Sequence, residues 1–336
     1  MSNSGIIVLT AIVSFASTAV LGKILIPLLK KLKYGQTILD IGPRWHKSKE
    51  GTPTMGGIMF GIGIVIAIVV SFITLVLSGS ETTAGLQISD NMRLLMGVLM
   101  AVSFGLLGFA DDYIKVVKKQ NLGLTAIQKL IFQFLIASVY MLTLFFFGES
   151  TIVEFPFFGQ IDFGLLYYPL MIVFIVFFVN SVNLTDGIDG LASTVTFVVA
   201  IAFMIASTIL SNIHMNILAT ALAGGCMGFL VWNFYPAKVF MGDTGSMFLG
   251  GSVIALGFGL KIPAFLLVMG ILYILEALSV VLQVTFFKLT HKRIFKMSPI
   301  HHHFEMSGYS EIKIVVLFSL VTFIGCAIGI FALILV

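Results

Sequence analysis

Two adjacent acidic residues, Asp111 and Asp112, follow an apolar run in the stretch GFADDYIK. Neighbouring carboxylates repel each other, so burying both requires a cation or a proton between them. Divalent cations such as Mg²⁺ prefer carboxylate oxygens and leave room for phosphate oxygens. The lysines that follow, Lys115, Lys119 and Lys129, fit either an anionic substrate or lipid headgroups at a cytoplasmic membrane surface. The acidic pair alone does not decide between these functions.

Four polar side chains recur at every third residue in the stretch NSVNLTDGIDGLAS, namely Asn180, Asn183, Asp186 and Asp189. This spacing keeps them on one side of a helix or of a tight helical turn. Two glycines in the same stretch permit backbone bends and the close approach of a ligand. Polar side chains at the end of a membrane span are costly, which favours a functional role over a purely structural one.

A third candidate region is WNFYPAKVFMGDTGS, residues 232–246, in which Asp243 stands at the start of an apolar helix. The unpaired N–H groups and the dipole of a helix N-terminus favour an anion at this point. Asp243 is therefore either a simple N-cap or a carboxylate that holds a metal ion on a phosphate. Phe240 could stack on a nucleobase, and Asn233 lies on the other side of the proline.

Three consecutive histidines, His301, His302 and His303, lie between Pro299 and Glu305 in the stretch SPIHHHFE. Their internal position and short run exclude a purification tag. A zinc site is disfavoured because consecutive residues do not share one helix face, and no other His or Cys stands at ligand spacing. Imidazoles near a phosphate donate hydrogen bonds or move a proton. We interpret the stretch as a kinked loop that faces the phosphates of a substrate, with His301 the first candidate for contact.

A smaller signal is the stretch KSKEGTPTMGG, residues 47–57, which contains Lys49, Thr54 and a pair of glycines. These residue types are typical of a loop that contacts phosphate, although their spacing is not that of a Walker motif. Taken by itself, the stretch is equally typical of an ordinary loop.

The composition indicates which elements carry these residues. Of 336 residues, 59% are hydrophobic and 10% are charged, against roughly 25% charged in a soluble domain. Because a spanning helix needs about 20 apolar residues, the apolar runs predict an all-α polytopic membrane protein with ten helices, a single domain over residues 1–336. The predicted spans are residues 5–29, 58–77, 93–110, 130–147, 167–183, 191–210, 214–232, 244–260, 262–287 and 314–336. Cys226 and Cys326 lie in apolar runs and are interpreted as small core residues.

The distribution of Lys and Arg predicts the orientation. Four connecting segments hold 16 of the 19 basic residues, and they all lie on one side of the predicted spans. These segments are residues 30–57, 111–129, 233–243 and 288–313. Cytoplasmic loops carry the excess of positive charge, so we expect both termini outside. The four stretches that contain Asp111, Asn183, Asp243 and His301 should then all lie at the cytoplasmic face.

Five stretches resemble, in their order along the chain, the polyprenyl-phosphate N-acetylhexosamine-1-phosphate transferases. They are GTPTMGG, DDYIK, NSVNLTDGIDGLA, NFYPAKVFMGDTGS and PIHHHFE. The resemblance covers essentially the whole chain. The wider superfamily shares the carboxylates, whereas the PIHHHFE form is characteristic of the phospho-N-acetylmuramoyl-pentapeptide transferase branch.

The resemblance implies an activity and its partners. The expected reaction transfers phospho-MurNAc-pentapeptide from UDP-MurNAc-pentapeptide to undecaprenyl phosphate, giving lipid I and UMP in peptidoglycan biosynthesis, with Mg²⁺ as cofactor. It also implies a ten-helix fold with outside termini, a homodimer and a place in the bacterial inner membrane; we expect no nucleic acid partner.

The resemblance further implies roles for individual residues. Asp243 is the expected Mg²⁺ ligand, Asp111 and Asp112 are the essential pair, and His301 is expected to join them as a catalytic residue. Residues expected around the nucleotide and the phosphates are Lys49, Thr54, Lys115, Lys119, Lys129, Asn183, Asp186, Asp189, Asn233, Phe240, Gln283, His302 and His303.

Two mechanisms and two other functions stay open from the sequence. The lipid phosphate attacks directly, which we favour, or a phospho-aspartate forms on Asp111 or Asp112 and the lipid then resolves it. A related transferase that uses UDP-GlcNAc is one alternative function. The other is a secondary transporter, although transporter sites lie near the bilayer midplane and only Glu276 is an acidic residue inside a predicted span.

Overall fold

The structure is a computed structural model that describes residues 1–31, 49–78, 84–118 and 122–335, with the backbone alone described for residues 84–89. In chain order the elements are α1 (Asn3–Lys31), α2 (Gly57–Leu77), α3 (Ala84–Val117), α4 (Ala126–Phe146), β1 (Ile152–Phe155), β2 (Gly159–Asp162), α5 (Tyr167–Thr185), α6 (Leu191–Ile209), α7 (Ile213–Asn233), α8 (Gly242–Gly259), α9 (Leu266–Met269), α10 (Ile271–Thr290), α11 (Ile300–Glu305) and α12 (Glu311–Ile334). The strands form one antiparallel hairpin in which Val153 pairs with Ile161.

The prediction of an all-α polytopic membrane protein is confirmed, with the small hairpin as the exception. Within the described ranges, nine helices are long and apolar enough to cross a membrane. Large apolar side chains are exposed along the outer helices, for example Leu135 and Phe146 on α4 and Val316 and Phe323 on α12. Such continuous apolar surface is stable in lipid rather than in water. The side on which the termini lie stays a prediction.

Helix α8 accounts for the difference between nine such helices and the ten predicted. It occupies the span predicted at 244–260, but it is 18 residues long, rich in glycine, and buried along its length from Thr244 onwards. It packs mainly against α3, and also against α5 and α2. Because protein rather than lipid surrounds α8, its side chains need little apolar bulk. The N-terminus of α8, where Asp243 lies, is therefore held by the neighbouring helices.

Two further sequence predictions are wrong in detail. The span predicted at 262–287 is not one helix, since a 3₁₀ turn at Pro263–Phe265 and the short helix α9 precede α10, with Gly270 between them. The histidine stretch is not a loop but the six-residue helix α11, which begins directly after Pro299. Proline does separate this helix from α10, because it fixes φ and lacks an N–H group, yet it is well suited to the start of a new helix.

The residues that precede α2 and α8 are joined side by side. The backbone N–H of Phe240 donates to the carbonyl of Pro53 at 2.8 Å, and the N–H of Gly57 donates to the carbonyl of Met241 at 3.0 Å. The helices then cross so closely that a Cβ on Gly57 would lie 2.2 Å from the Cα of Gly245. Small residues permit this approach of two backbones, and the contact places Thr54 beside the N-terminus of α8.

Candidate active site

Three carboxylates meet where α3 ends and α8 begins. Oxygen atoms of Asp111, Asp112 and Asp243 lie within 4.8 Å of one another. In the part of the chain that the structure describes, this is the one group of three or more His, Cys, Asp or Glu side chains close enough to hold a metal ion. The side chains of Asp111 and Asp112 are 1% and 4% exposed, whereas that of Asp243 is 18% exposed. Asp243 is therefore the carboxylate that solvent and ligands reach most easily.

Asp112 caps α8 although it belongs to α3. Its Oδ2 accepts hydrogen bonds from the N–H of Thr244 at 2.9 Å and from the hydroxyl of Thr244 at 2.7 Å. Its Oδ1 accepts from the N–H of Asp243 at 3.2 Å. A carboxylate that satisfies the free N–H groups of a helix N-terminus also interacts favourably with the helix dipole. The capping role considered for Asp243 is thus filled by Asp112, which leaves the Asp243 carboxylate for other partners.

Two lysines offset most of the negative charge of the cluster. The Nζ of Lys115 lies 2.6 Å from Asp111 Oδ2 and 3.1 Å from Asp243 Oδ2. The Nζ of Lys129, from α4, lies 3.0 Å and 2.6 Å from the same two oxygens. Three carboxylates and two ammonium groups leave one net negative charge, which a cation can balance. Lys119 lies outside the described residues.

Asn183 holds the remaining oxygen of Asp243. Its Nδ2 donates to Asp243 Oδ1 at 2.9 Å and to the hydroxyl of Ser246 at 2.7 Å. One turn earlier on α5, Asn180 exchanges hydrogen bonds with Gln133 of α4, at 2.8 and 3.2 Å. The regular spacing of the asparagines therefore ties α5 to α8 at one residue and to α4 at the other.

The turn that follows α5 carries Asp186 and Asp189. Burial raises the pKa of Asp186 well above its usual range, and the negative charges of Asp243, Asp112 and Asp189 raise it further. A carboxyl group in such surroundings holds a proton more readily than a solvated one. The charges of Asp243 and Asp112 therefore act on Asp186 from the carboxylate cluster.

Asp189 is the centre of a second ionic network. Its Oδ1 lies 2.7 Å from Lys49 Nζ, which is also 2.6 Å from Glu311 Oε1 at the start of α12. The N–H of Asp189 donates to Glu311 Oε2 at 3.0 Å, and its Oδ2 accepts from the N–H of Ala237 at 2.9 Å. Burial would lower the pKa of Lys49, but the hydrogen bonds and charges of both carboxylates outweigh burial and raise it. Lys49 is thereby fixed as a cation.

Asn233 is the last residue of α7, and Phe240 lies in the segment between α7 and α8. The Oδ1 of Asn233 accepts from the N–H of Gly190 at 3.2 Å, and its Nδ2 donates to the carbonyl of Val239 at 2.9 Å. Asn233 is buried, and its two hydrogen bonds join the turn to the segment that contains Phe240. The Phe240 side chain is half-buried, which leaves part of its ring available for stacking.

The side-chain amide of Gln283 bonds to the protein backbone. Its Oε1 accepts from the N–H groups of Ile294 and Phe295, at 3.0 and 2.9 Å, and its Nε2 donates to the carbonyl of Phe295 at 3.2 Å. These bonds fold the basic segment after α10 back onto that helix. Gln283 therefore holds the backbone of residues 294–295 against α10.

The three histidines have separate partners. The Nδ1 of His301 lies 3.1 Å from Glu276 Oε2, and the Nδ1 of His302 lies 2.6 Å from Glu305 Oε2. The first two rings pack together with their centroids 4.2 Å apart. His303 instead accepts a hydrogen bond at 3.2 Å from the backbone N–H of residue 296. His301 is fully buried, so His302 is the more accessible member of the stacked pair.

Sequence reasoning missed two acidic residues of the site. Glu311 stands in the first turn of α12, where an acidic residue is common for the sake of the helix dipole alone, so its type and place gave no signal. Glu276 did give a signal, as the one acidic residue inside a predicted span, but its histidine partner lies 25 residues later. Only the fold brings Glu276 to His301 and Glu311 to Lys49.

The fold and the carboxylate–lysine cluster define an integral membrane transferase. Residues 94–261 match the profile of Glycosyl transferase family 4, and residues 49–60 match Phospho-N-acetylmuramoyl-pentapeptide-transferase signature 1. Curated proteins named phospho-N-acetylmuramoyl-pentapeptide-transferase are similar along nearly the whole chain. That of Caldicellulosiruptor bescii is 45% identical over 96% of this chain and 96% of its own length. That of Clostridium perfringens strain 13 is 45% identical over 96% and 97%, and that of Clostridium botulinum strain Alaska E43 is 43% identical over 96% and 95%. This chain belongs to the phospho-N-acetylmuramoyl-pentapeptide transferase family.

Proposed function

We propose that this protein transfers phospho-MurNAc-pentapeptide from UDP-MurNAc-pentapeptide to undecaprenyl phosphate, forming lipid I and releasing UMP. The names of the relatives support this activity. We further propose that it acts as a homodimer in the bacterial inner membrane, with the carboxylate cluster at the cytoplasmic face. The excess of Lys and Arg in the segments on that side supports this orientation.

The observation that carries the proposal is the cluster of three carboxylates and two lysines at the facing ends of α3, α4 and α8. The reaction joins two anions, since an oxygen of the acceptor phosphate attacks the sugar-linked phosphorus of the donor as the anhydride bond to UMP breaks. Its barrier falls when charge is neutralised and the reactants are aligned. Ammonium groups held by carboxylates at a helix end are suited to both tasks.

The cluster fits a hard divalent cation. Its donor atoms are carboxylate oxygens, which Mg²⁺ prefers, and its formal charge is negative by one even with both lysines present. Asp243 is the ligand best placed to hold the ion, because it is the most exposed of the three. Bound Mg²⁺ would neutralise charge on the donor diphosphate.

The surrounding residues fix the geometry of the cluster. Asp112 holds the N-terminus of α8 in place, and Asn183 fixes the Asp243 carboxylate from α5. The side chain of Lys115 is 31% exposed and that of Lys129 is 26% exposed. Their ammonium groups are therefore available to phosphate oxygens as well as to the carboxylates. Charge-assisted hydrogen bonds of this kind are about twice as strong as neutral ones.

We infer that the acceptor phosphate attacks directly. The Asp111 side chain is buried, its Oδ1 accepts from the N–H of Leu124 at 2.8 Å, and its Oδ2 lies 2.6 Å and 3.0 Å from the ammonium groups of Lys115 and Lys129. A nucleophile must reach the phosphorus, and a buried carboxylate held against two ammonium groups is poorly placed to do so. Asp111 is better suited to orienting the two lysines that bind the acceptor phosphate.

The nucleotide is assigned to the neighbouring network. Lys49, Thr54, Asp189 and the half-buried ring of Phe240 lie together on the segments that precede α2 and α8 and follow α5. A ring face suits a base, and a fixed ammonium suits an anionic or carbonyl oxygen. We propose that His302, the more accessible of the two stacked histidines, donates a hydrogen bond to a phosphate oxygen.

The test is UMP release by purified protein, with and without undecaprenyl phosphate and Mg²⁺. We expect release only when both are present, loss of activity on chelation, recovery when Mg²⁺ is returned, and a loss of at least about 100-fold in Asp243→Ala. Stoichiometric UMP release without acceptor would refute direct attack. A panel that includes UDP-GlcNAc tests the donor, and preference for that donor would overturn the assigned substrate.

A further inference from the structure

Glu276 and His301 form an ion pair or hydrogen-bonded pair that is wholly enclosed. Both side chains are 0% exposed, with His301 Nδ1 3.1 Å from Glu276 Oε2. Burying two ionisable groups is expensive, and a well-packed apolar pair of the same volume is often as stable or more stable. The pair therefore needs an explanation beyond packing.

The free ends of this pair point to that explanation. Within the described residues, neither His301 Nε2 nor Glu276 Oε1 has a hydrogen-bond partner. The Nε2 atom faces Gly187, because a Cβ built on that glycine would lie 2.0 Å from it. The imidazole ring thus lies directly against the backbone of the turn between Asp186 and Gly190, which accepts it only because residue 187 has no side chain.

The carboxylate determines how the ring is held. An ionised Glu276 only accepts hydrogen bonds, so His301 Nδ1 must carry the proton that is shared between them. This fixes both the plane and the tautomer of the ring, as a carboxylate does for histidines in other sites. Without the carboxylate, the ring loses the hydrogen bond that fixes its orientation against Gly187.

The same turn is held at two other points. Glu311 accepts from the N–H of Asp189, and Asn233 accepts from the N–H of Gly190. His301 adds a contact at Gly187. It belongs to α11, a different element from those that carry Glu311 and Asn233. Three separate elements thereby determine where the Asp186 and Asp189 carboxyl groups lie.

We propose that Glu276 is a positioning residue for the donor. It orients His301, and His301 sets the position of the turn Asp186–Gly190 against which the nucleotide of the donor binds. This inference rests on the proposed function, because it takes the turn to be part of the donor site. Glu276 itself touches no substrate.

Two substitutions separate positioning from packing. Glu276→Leu keeps the approximate volume but removes the acceptor, and Glu276→Gln keeps an acceptor oxygen at the same distance. Because a displacement of about 1 Å at a site is able to cost 10²-fold, we expect Glu276→Leu to raise the KM for UDP-MurNAc-pentapeptide by about tenfold. The kcat and the KM for undecaprenyl phosphate should change much less, and Glu276→Gln should restore most of the donor affinity.

Coupling with His301 provides the second readout. If Glu276 acts through the ring, the double variant Glu276→Leu/His301→Ala binds the donor no worse than His301→Ala alone. Tyr273→Phe is the matched control. Tyr273 lies one turn earlier on α10, is equally buried, and bonds Thr196 at 2.8 Å, so its loss should affect stability without affecting the donor KM.

The outcomes are distinct from those of the proposed function. If wild-type protein releases no UMP from the donor, the proposed function fails. If wild-type protein is active and Glu276→Leu has an unchanged donor KM, or loses affinity for both substrates equally, the positioning role is overturned. Should Glu276→Leu fail to fold, Gly187→Ala tests the contact from the other side: a raised donor KM supports the role, and a wild-type KM contradicts it.

Discussion

At the scale of single residues, Asp112 shows how one carboxylate serves both structure and chemistry. It accepts three hydrogen bonds from the first turn of α8 while lying next to Asp111 in sequence and near Asp243 in space. The adjacency of Asp111 and Asp112 was enough to predict a charged site, because repulsion between them requires compensation. The capping role was not predictable, since the helix it caps begins 130 residues later in the chain.

Removal of the Asp112 carboxylate should therefore affect stability and activity together. Asp112→Ala is expected to lower the free energy of unfolding by about 1–2 kcal/mol, as the loss of an N-cap does. Turnover should be abolished, because α8 no longer holds Asp243 in place. Thermal unfolding in detergent and UMP release measure the two effects.

Asn212→Ala is the matched control for this prediction. The Asn212 side chain caps α7 by accepting from the N–H of Met215 at 2.9 Å, at the opposite end of that helix from Asn233. Its loss should reduce stability by a similar amount and leave turnover intact. If activity falls equally in both variants, Asp112 acts on turnover only through stability.

At the scale of elements, the crossing of α2 and α8 joins two of the sequence motifs. Gly57 ends the stretch GTPTMGG and Gly245 lies in GDTGS, and their backbones are in contact. We expect Gly57→Ala to destabilise the protein by about 1–3 kcal/mol, the range for overpacking. Gly61→Ala is the control, since that glycine is one turn further along α2 with no atom within 4 Å of its added Cβ. An equal loss of stability in both variants would argue against the crossing as the cause.

The elements also show where sequence prediction reaches its limit. Uniform apolar runs predict α4, α6 and α7 closely, because length and hydropathy are sufficient signals for a helix in lipid. They are not sufficient for α8, whose neighbours are protein, or for the break between α9 and α10 at Gly270. By residue type alone Pro299 indicates a helix break, which predicts a loop for the histidine stretch, whereas in the structure it precedes the first turn of α11.

At the scale of the whole molecule, the orientation of the protein in the membrane is a prediction that labelling experiments can test. Phe158 is 86% exposed at the hairpin, and Lys292 is exposed after α10. Cys226 and Cys326 are free and buried, as the sequence predicts, so they should react little with a thiol reagent. Phe158→Cys should react with a membrane-impermeant maleimide in intact cells, and Lys292→Cys only after permeabilisation. The reverse pattern would invert the assigned orientation.

The enclosure of α8 has a consequence for how the protein responds to its bilayer. Helices that face lipid adjust to changes in hydrocarbon thickness by tilting, at a modest cost in free energy per ångström of mismatch. Because α8 is wrapped by α2, α3 and α5, such tilts reach Asp243 only after passing through a layer of protein. Lipid chain length should therefore change how the acceptor enters more than where the Asp243 carboxylate lies.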